Sequence, residues 1–208
     1  MERLLHYFRL SERIPGWTRG EEAHALAHYA FTAPADAVVV EIGAFLGSGT
    51  ILLAGARKLR RTGSVHSIDP FDGSGDDFSV PHYQAILNVE GVPPQRQRFE
   101  QNLIDAGLQR WARAYTGRAE EVAVDWNTPI DLLYIDGDQS PAGVQRAYAA
   151  WQPWLKVGAI IALHNSDERE YAASHDGHYR LRQAFGAGTD VRFLEQAGST
   201  TLWQTRPH

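Results

Sequence analysis

Two short polar segments follow apolar runs of the chain and carry side chains that bind ligands or exchange protons. Asp136-Gly-Asp-Gln139 comes after the run that begins at Ile130, and His164-Asn-Ser166 comes after Ala159–Leu163. If these runs are neighbouring parallel strands, their carboxyl ends share one edge of a sheet and bring the polar side chains together. The sequence therefore predicts a site at this edge, unless these residues merely terminate their strands.

A glycine-rich loop, Glu41-Ile-Gly-Ala-Phe-Leu-Gly-Ser-Gly-Thr50, joins a β-branched run to a helical pattern. Its glycines let a ligand lie against the backbone, and the helix start offers free N–H groups. A dinucleotide site typically reads G-x-G-x-x-G, whereas this loop reads G-x-x-x-G-x-G after an acid, Glu41. That carboxylate repels a pyrophosphate and attracts an ammonium group. The loop therefore favours S-adenosylmethionine over NAD, with an unliganded turn as the alternative.

Two further segments suit the nucleoside part of such a cofactor. Asp69 ends the next β-branched run, Ser64–Asp69, where an acid can accept both hydroxyls of a ribose. It is otherwise a turn acid before Pro70. Thr116-Gly-Arg-Ala-Glu-Glu121 follows another apolar run and places Ala119 and Glu120 where they can meet an adenine edge.

Composition limits the class of protein and its partners. The 208-residue chain has 43% hydrophobic and 22% charged residues, which is typical of one globular domain. Its net charge of -5 argues against nucleic acid as a partner, and the lack of cysteine excludes disulfides and thiolate nucleophiles. No apolar run reaches the ~18 residues of a membrane span, and Met1–Leu10 is too short and too charged for a signal peptide. We therefore expect a cytoplasmic protein without a membrane partner.

Strand and helix patterns alternate along the chain, which predicts a parallel sheet covered by helices on both faces. The predicted strands are Ala37–Gly43, Ser64–Asp69, Trp111–Thr116, Ile130–Asp136, Ala159–Leu163, Asp190–Glu195 and Ser199–Thr205. The predicted helices are Thr18–Phe31, Ser48–Leu59, Gln95–Ala106, a short one from Arg118, Pro141–Trp154 and Tyr179–Phe185. The last two strands are close enough for an antiparallel hairpin. Residues 1–35 form a helical leading segment, residues 36–208 the core, and aperiodic Pro70–Pro81 a candidate lid.

Together these motifs resemble the class I S-adenosylmethionine-dependent methyltransferases, and among them the small O-methyltransferase-like group of the catechol, caffeoyl-CoA and macrolide-sugar enzymes. The resemblance runs from about Gly16 to the final hairpin and rests on Val40–Gly49, Ser67–Pro70, Leu133–Asp138 and Val157–His164. It implies a Rossmann-like three-layer α/β sandwich, whose seven-stranded, mostly parallel sheet has an antiparallel last strand.

The same resemblance assigns roles to individual residues. The implied cofactor-binding residues are Glu41, Gly43, Gly47, Ser48, Asp69, Ala119, Glu120 and Asp136. Glu41 and Gly43 border the methionine part, Asp69 holds the ribose, and Ala119 with Glu120 lies by the adenine. The metal-dependent members hold Mg²⁺ at positions matching Asp136, His164 and Asn165. Oxygen donors suit Mg²⁺, whereas the His164 nitrogen suits softer metals better.

The expected proton acceptor is missing. The resemblance places a lysine or histidine three residues after the acid matching Asp136, where this chain has Gln139, and an amide takes no proton at neutral pH. His164 is the first substitute as base because imidazole titrates near pH 6.5, and Asp138 is the second. A histidine buried without a chemical role is the alternative. A zinc or iron site of His164, His175, Asp176 and His178 is a further, weaker hypothesis.

The resulting hypothesis is methyl transfer from S-adenosylmethionine to a hydroxyl of a small molecule, such as a sugar or secondary metabolite, with or without Mg²⁺. Phe71, Phe78, His82 and Tyr83 are candidates for the acceptor pocket. The rivals are an NAD(P)-dependent oxidoreductase and a non-catalytic S-adenosylmethionine-binding protein. A homo-oligomer is compatible with the sequence.

Overall fold

A seven-stranded sheet lies between two layers of helices in the computed structural model, which describes residues 2–207. The strands are β1 (Val38–Ile42), β2 (Ser64–Asp69), β3 (Ala112–Thr116), β4 (Ile130–Ile135), β5 (Leu155–Leu163), β6 (Val191–Ala197) and β7 (Thr200–Thr205). Their order across the sheet is β3-β2-β1-β4-β5-β7-β6, and β7 runs antiparallel to both of its neighbours. The predicted fold class is therefore confirmed.

Eight α-helices of the described residues surround this sheet. They are α1 (Glu2–Arg13), α2 (Gly20–Thr32), α3 (Ser48–Arg60), α4 (Val80–Leu87), α5 (Gln95–Asp105), α6 (Ala119–Ala123), α7 (Pro141–Trp151) and α8 (Gly177–Ala187). None of the helices within residues 2–207 is both long and apolar enough to cross a membrane.

Alternation along the strands supplies both faces of the sheet with core residues. Val39 of β1 joins the cluster on one face, with Leu26 of α2 and Phe99 of α5. Val40, the next residue, joins the cluster on the other face, with Trp151 of α7. A strand buried on both faces needs this continuous apolar run, which explains why β1 was readable from its valines.

Four elements differ from the sequence-based prediction. Helix α1 was predicted only as part of the helical leading segment, and α4 was not predicted; α4 has two turns and none of its residues is fully buried. Helix α7 ends at Trp151 in a 3-10 turn, Gln152–Trp154, because Pro153 lacks the N–H that a continuing helix requires. The chain then enters β5 four residues earlier than Ala159, beginning at Leu155.

Candidate active site

A cavity opens at the carboxyl edge of the sheet, where the loops after β1, β2, β3, β4 and β5 meet. Nine predicted site residues line it: Gly43, Asp69, Ala119, Glu120, Asp136, Asp138, Gln139, His164 and Asn165. The structure thus brings both polar strand ends to one place, and residues of the candidate lid border the same cavity. Three predicted cofactor residues, Glu41, Gly47 and Ser48, are not among its lining residues.

Gly43 is the point at which the loops after β1 and β4 touch through their backbones. Its φ of +89° lies in the left-handed region. A methyl group built on Gly43 would lie 2.5 Å from the backbone nitrogen of Gly137 and closer still to the carbonyl oxygen of Asp136. The Asp136 N–H in turn donates to the Ile42 carbonyl at 2.8 Å. Only glycine fits here, and the floor of the cavity depends on it.

Asp69 lines the cavity with most of its hydrogen-bonding capacity already used. Oδ1 accepts the Phe71 N–H at 2.7 Å and the Gln95 Nε2–H at 3.1 Å, and Oδ2 accepts the Phe45 N–H at 2.8 Å. Because each carboxylate oxygen has two lone pairs, one acceptor position remains, on Oδ2. This suits one ribose hydroxyl rather than the two that the sequence suggested. Burial raises the pKa of Asp69 to about 6, against the opposing effect of these donors.

Glu41 is 1% exposed and its carboxylate lies beneath the cavity floor. Oε2 accepts hydrogen bonds from the Thr50 hydroxyl and from Ser67 Oγ, the latter at 2.8 Å. The predicted contact between Glu41 and the cofactor's ammonium group does not fit this position. Burial raises the pKa of Glu41 to about 7, and Asp136 and Asp69 add to the rise.

This buried carboxyl makes stability depend on pH. The pKa of Glu41 is about 7 in the folded protein and has its ordinary value of 4.5 in the unfolded chain, so the folded state holds an extra proton between these values. The free energy of unfolding therefore falls as pH rises through that window. Between pH 5.5 and 8.5 the wild type should lose about 2 kcal/mol more than Glu41→Gln in urea titrations.

The exposed Glu90→Gln serves as the control and should keep the wild-type dependence. Equal pH slopes for wild type and Glu41→Gln would show that Glu41 is not the responsible group.

Gly47 and Ser48 have packing roles at the start of α3. Gly47, at φ +92°, lies against the Phe99 ring, where a methyl group would come within 3.1 Å. Ser48 faces Gly16, and its carbonyl accepts the Ser11 hydroxyl at 2.8 Å. These contacts fix the start of α3, and neither residue reaches the cavity.

The loop after β3 forms the opposite wall. Gly117, Arg118, Ala119 and Glu120 all border the cavity, as the adenine prediction requires. Glu120 Oε1 accepts from Arg146 Nε at 3.2 Å, and Arg146 also lies 3.7 Å from Asp138. Both carboxylates are thus partnered by one guanidinium at the rim.

A chain of charged side chains crosses the centre of the site. His164 Nδ1 lies 3.3 Å from Glu22 Oε2 of α2, without hydrogen-bond alignment, and Nε2 lies 3.6 Å from Asp136 Oδ1. Tyr134 donates to Asp136 Oδ2 at 3.0 Å, and Thr18 lies 2.9 Å from the Tyr134 hydroxyl. His164 is 3% exposed, so two carboxylates enclose it away from solvent.

This enclosure shifts the pKa of His164. Burial alone lowers its pKa, but Asp136 and Glu22 outweigh that effect and raise it above the ordinary value. Burial raises the pKa of Asp136 to about 6, with Glu22 adding to the rise and His164 opposing it. Both ring nitrogens of His164 face carboxylate oxygens, at 3.3 and 3.6 Å. This arrangement is that of an ion pair, and it does not favour His164, the first-choice base of the sequence analysis, as the proton acceptor.

The second-choice base and the third predicted metal ligand are also engaged. Asp138 Oδ1 accepts the Ser140 N–H at 2.9 Å at the start of α7. The Asn165 amide donates to Gln139 Oε1 at 3.2 Å. Within residues 2–207, no three acidic, histidine or cysteine side chains form a metal-binding group. The predicted Mg²⁺ set of Asp136, His164 and Asn165 does not fit these side-chain arrangements.

His175 has a different partner from the one the zinc or iron hypothesis gave it. Its Nδ1 lies 2.9 Å from Asp76 Oδ1, and both residues are buried. Although burial opposes the charge, hydrogen bonds from His175 and Ser79 lower the pKa of Asp76 to about 2. His178 is fully buried with neither ring nitrogen hydrogen-bonded, and burial lowers its pKa to about 3. The proposed four-residue metal cluster is not formed.

Aromatic side chains cover the remaining wall. Trp17, Phe45 and Tyr83 pack against one another in tilted and edge-to-face pairs with ring centroids 5.1 to 5.4 Å apart. Phe78, His82 and Tyr83 line the cavity as expected, whereas Phe71 packs on Phe99 at 5.2 Å outside it. Trp17, which also lines the cavity, was not among the residues that the sequence assigned to the acceptor pocket.

Comparison with known proteins agrees with this architecture. Residues 40–166 match a family model described as a methyltransferase domain. A putative O-methyltransferase from Klebsiella pneumoniae has 17% identity and a TM-score of 0.69, over 100% of this chain and 91% of that one.

Two solved relatives were determined with ligands. The O-methyltransferase TomG from Streptomyces achromogenes, involved in tomaymycin synthesis and bound to SAM, has 18% identity and a TM-score of 0.66 over 100% of this chain and 91% of that one. An O-methyltransferase from Bacillus cereus in complex with SAH has 16% identity and a TM-score of 0.64 over 99% and 91%.

Proposed function

Because this chain belongs to the family of that methyltransferase domain, we propose that it transfers a methyl group from S-adenosylmethionine to a hydroxyl of a small molecule. The observation that carries the proposal is the cavity at the carboxyl edge of the sheet. It combines the bare backbone of Gly43, the remaining acceptor position of Asp69 and the loop at Ala119. These are the features that methionine, ribose and adenine require.

The bound ligands of the two relatives support the same cofactor. TomG holds SAM and the Bacillus cereus enzyme holds SAH, in structures that align with nearly the whole chain. Glu41 does not support S-adenosylmethionine in the way that the sequence suggested, because its carboxylate lies beneath the cavity floor.

The residues of the chain position the reactants and exclude water. When bound, S-adenosylmethionine supplies an electrophilic methyl group on a sulfonium. Asp69 orients the ribose, and the aromatic side chains of Trp17, Phe45 and Tyr83 line the cavity on the other side. Aligning acceptor oxygen, methyl carbon and sulfur in this way lowers the barrier by about 7–11 kcal/mol.

The acceptor that fits this wall is a small, partly apolar molecule with a hydroxyl group. Aromatic surfaces bind the faces of aromatic rings and of sugars, which suits a phenolic metabolite or a sugar. The relative TomG is involved in tomaymycin synthesis, which supports a secondary metabolite as the class of acceptor.

Calorimetry with adenosylhomocysteine tests the cofactor. Wild type should bind it, and Asp69→Asn should weaken binding by about 10- to 100-fold, since a hydrogen bond to a charged acceptor contributes about 1.5–3 kcal/mol. Asp125→Asn, an exposed change of the same kind, should bind as wild type. Binding of NADH but not of adenosylhomocysteine would instead support the oxidoreductase rival.

A further inference from the structure

Two loops that border the cavity are joined by a buried carboxylate–imidazole pair. Asp76 belongs to the loop after β2, and His175 belongs to the loop after β5. They are 4% and 5% exposed, and Asp76 Oδ1 lies 2.9 Å from His175 Nδ1. The Ser79 hydroxyl donates to the second carboxylate oxygen at 2.8 Å. Asp76 is thus held as an anion that faces one nitrogen of His175.

This contact determines what the other ring nitrogen can do. An ionised carboxylate only accepts hydrogen bonds, so the neutral ring carries its proton on Nδ1. Nε2 then keeps its lone pair, and it has no hydrogen-bond partner within the described residues. His175 lines the cavity. The ring that Asp76 orients therefore borders the space where the methyl acceptor is proposed to bind.

The pair also adjoins the position that lacks a base. The N–H of Gln139 donates to Asp76 Oδ2 at 3.3 Å, and the Gln139 carbonyl accepts the Gly177 N–H at 3.0 Å. His175 is two residues before Gly177, so this contact anchors its loop beside Gln139. His175 therefore lies beside Gln139, the position whose amide side chain cannot take a proton.

We propose that His175, oriented by Asp76, is the general base of the methyl transfer, an inference that rests on the proposed function. The acceptor O–H bond breaks and its proton moves to His175 Nε2. An oxygen electron pair forms the new bond to the methyl carbon, the carbon–sulfur bond breaks, and its electron pair stays on sulfur. The sulfonium charge thereby becomes an imidazolium charge, which Asp76 stabilises, and the proton then passes to water.

The surroundings of His175 favour this role over the other polar groups. Asp76, Tyr171, His178 and Asp176 are its titratable neighbours, from the loop after β2, from its own loop and from α8. Burial keeps His178 neutral, so it adds no competing charge. The Phe78 ring packs against the His175 imidazole, with ring centroids 4.5 Å apart, and limits its rotation. His82 also borders the cavity, but its Nδ1 contacts only the Phe78 carbonyl, at 3.0 Å.

Nitrogen-15 NMR of histidine-labelled protein tests the proton's place without any acceptor. His175 is assigned by the signal missing from His175→Gln. At about pH 8.5 we expect a neutral ring with the proton on Nδ1 and a bare Nε2. Asp76→Asn should shift the ring toward a mixture of tautomers. A proton on Nε2, or an imidazolium at that pH, would overturn the proposal.

Turnover is then measured as adenosylhomocysteine release with catechol as the phenolic probe and methyl glucoside as the alcohol probe. His175→Gln should lower kcat about 100-fold or more while adenosylhomocysteine affinity and melting temperature stay near wild type. Asp76→Asn, which keeps the imidazole but removes the carboxylate that orients it, should have an intermediate kcat. The exposed His28→Gln should retain wild-type turnover.

The outcomes separate the two proposals. Wild-type turnover that persists unchanged in His175→Gln, with the same pH profile, removes His175 from the mechanism and leaves methyl transfer standing. Failure of the wild type to bind adenosylhomocysteine contradicts the proposed function instead. If the wild type binds the cofactor but uses neither probe, the tautomer measurement still decides whether His175 can act as a base.

Discussion

Replacing Gly43 by alanine is expected to abolish cofactor binding and to cost about 3 kcal/mol or more of the free energy of unfolding. The added methyl group meets backbone atoms of the β4 loop, with Gly137 N at 2.5 Å. Backbone atoms cannot rotate away as a flexible side chain can. Relief requires β1 and β4 to part at the edge where Asp136 lies.

A second glycine of the chain separates this clash from simple backbone strain. Gly91 has a φ of +78°, close to that of Gly43, but a methyl group there meets nothing within 4 Å. Gly91→Ala should therefore cost only about 1 kcal/mol, the left-handed penalty alone. Urea unfolding and calorimetry with adenosylhomocysteine on both variants measure the difference. Similar losses for the two would mean that the contact with the β4 loop does not matter.

Replacing His164 by glutamine should lower stability by about 3–5 kcal/mol at neutral pH. The ring lies between Glu22 and Asp136, 3.3 and 3.6 Å from their oxygens, with 3% of its surface exposed. Its loss leaves two buried carboxylates facing each other without a positive charge between them. The prediction follows from the geometry of an ion pair and does not require His164 to take part in chemistry.

A double-mutant cycle with Asp136→Asn tests that explanation. In the wild-type background Asp136→Asn removes a partner of the His164 charge and should destabilise the protein. In the His164→Gln background it removes the uncompensated charge and should restore part of the loss, so the two effects should differ in sign. Urea unfolding of the four proteins gives the coupling free energy. Additive losses would show that His164 and Asp136 do not interact.

The central strands were predictable because they are buried on both faces and carry nearly continuous apolar runs. Val38–Ile42 is interrupted only by Glu41 and Ile130–Ile135 only by Asp131, and the hairpin followed from the short loop at Gly198. Helix α4 was missed because it has only two turns and follows an aperiodic, glycine-rich loop, and none of its residues is fully buried. The polar strand ends at Asp136 and His164 were correctly placed together, because parallel strands share one edge.

The roles of the polar residues were harder to predict, because they depend on contacts between distant parts of the chain. Asp76 and His175 are 99 residues apart, and nothing in either local sequence indicates the pairing. Glu41 satisfied the glycine-loop pattern, but the hydroxyl of Ser67 on the next strand turns its carboxylate into the core. His164 was predicted as a base because nothing in the sequence indicates that Glu22 of α2 lies beside it.

The placement of Glu22 has a consequence for how the enzyme can be dissected. The family model spans residues 40–166, yet Trp17, Thr18 and Glu22 all precede that span and complete the cavity wall or the charged chain. A chimaera that grafts residues 40–166 onto a foreign leading segment would keep the cavity residues around Gly43 and leave His164 facing Asp136 alone. The segment before β1 is therefore part of the cavity and not an accessory to it.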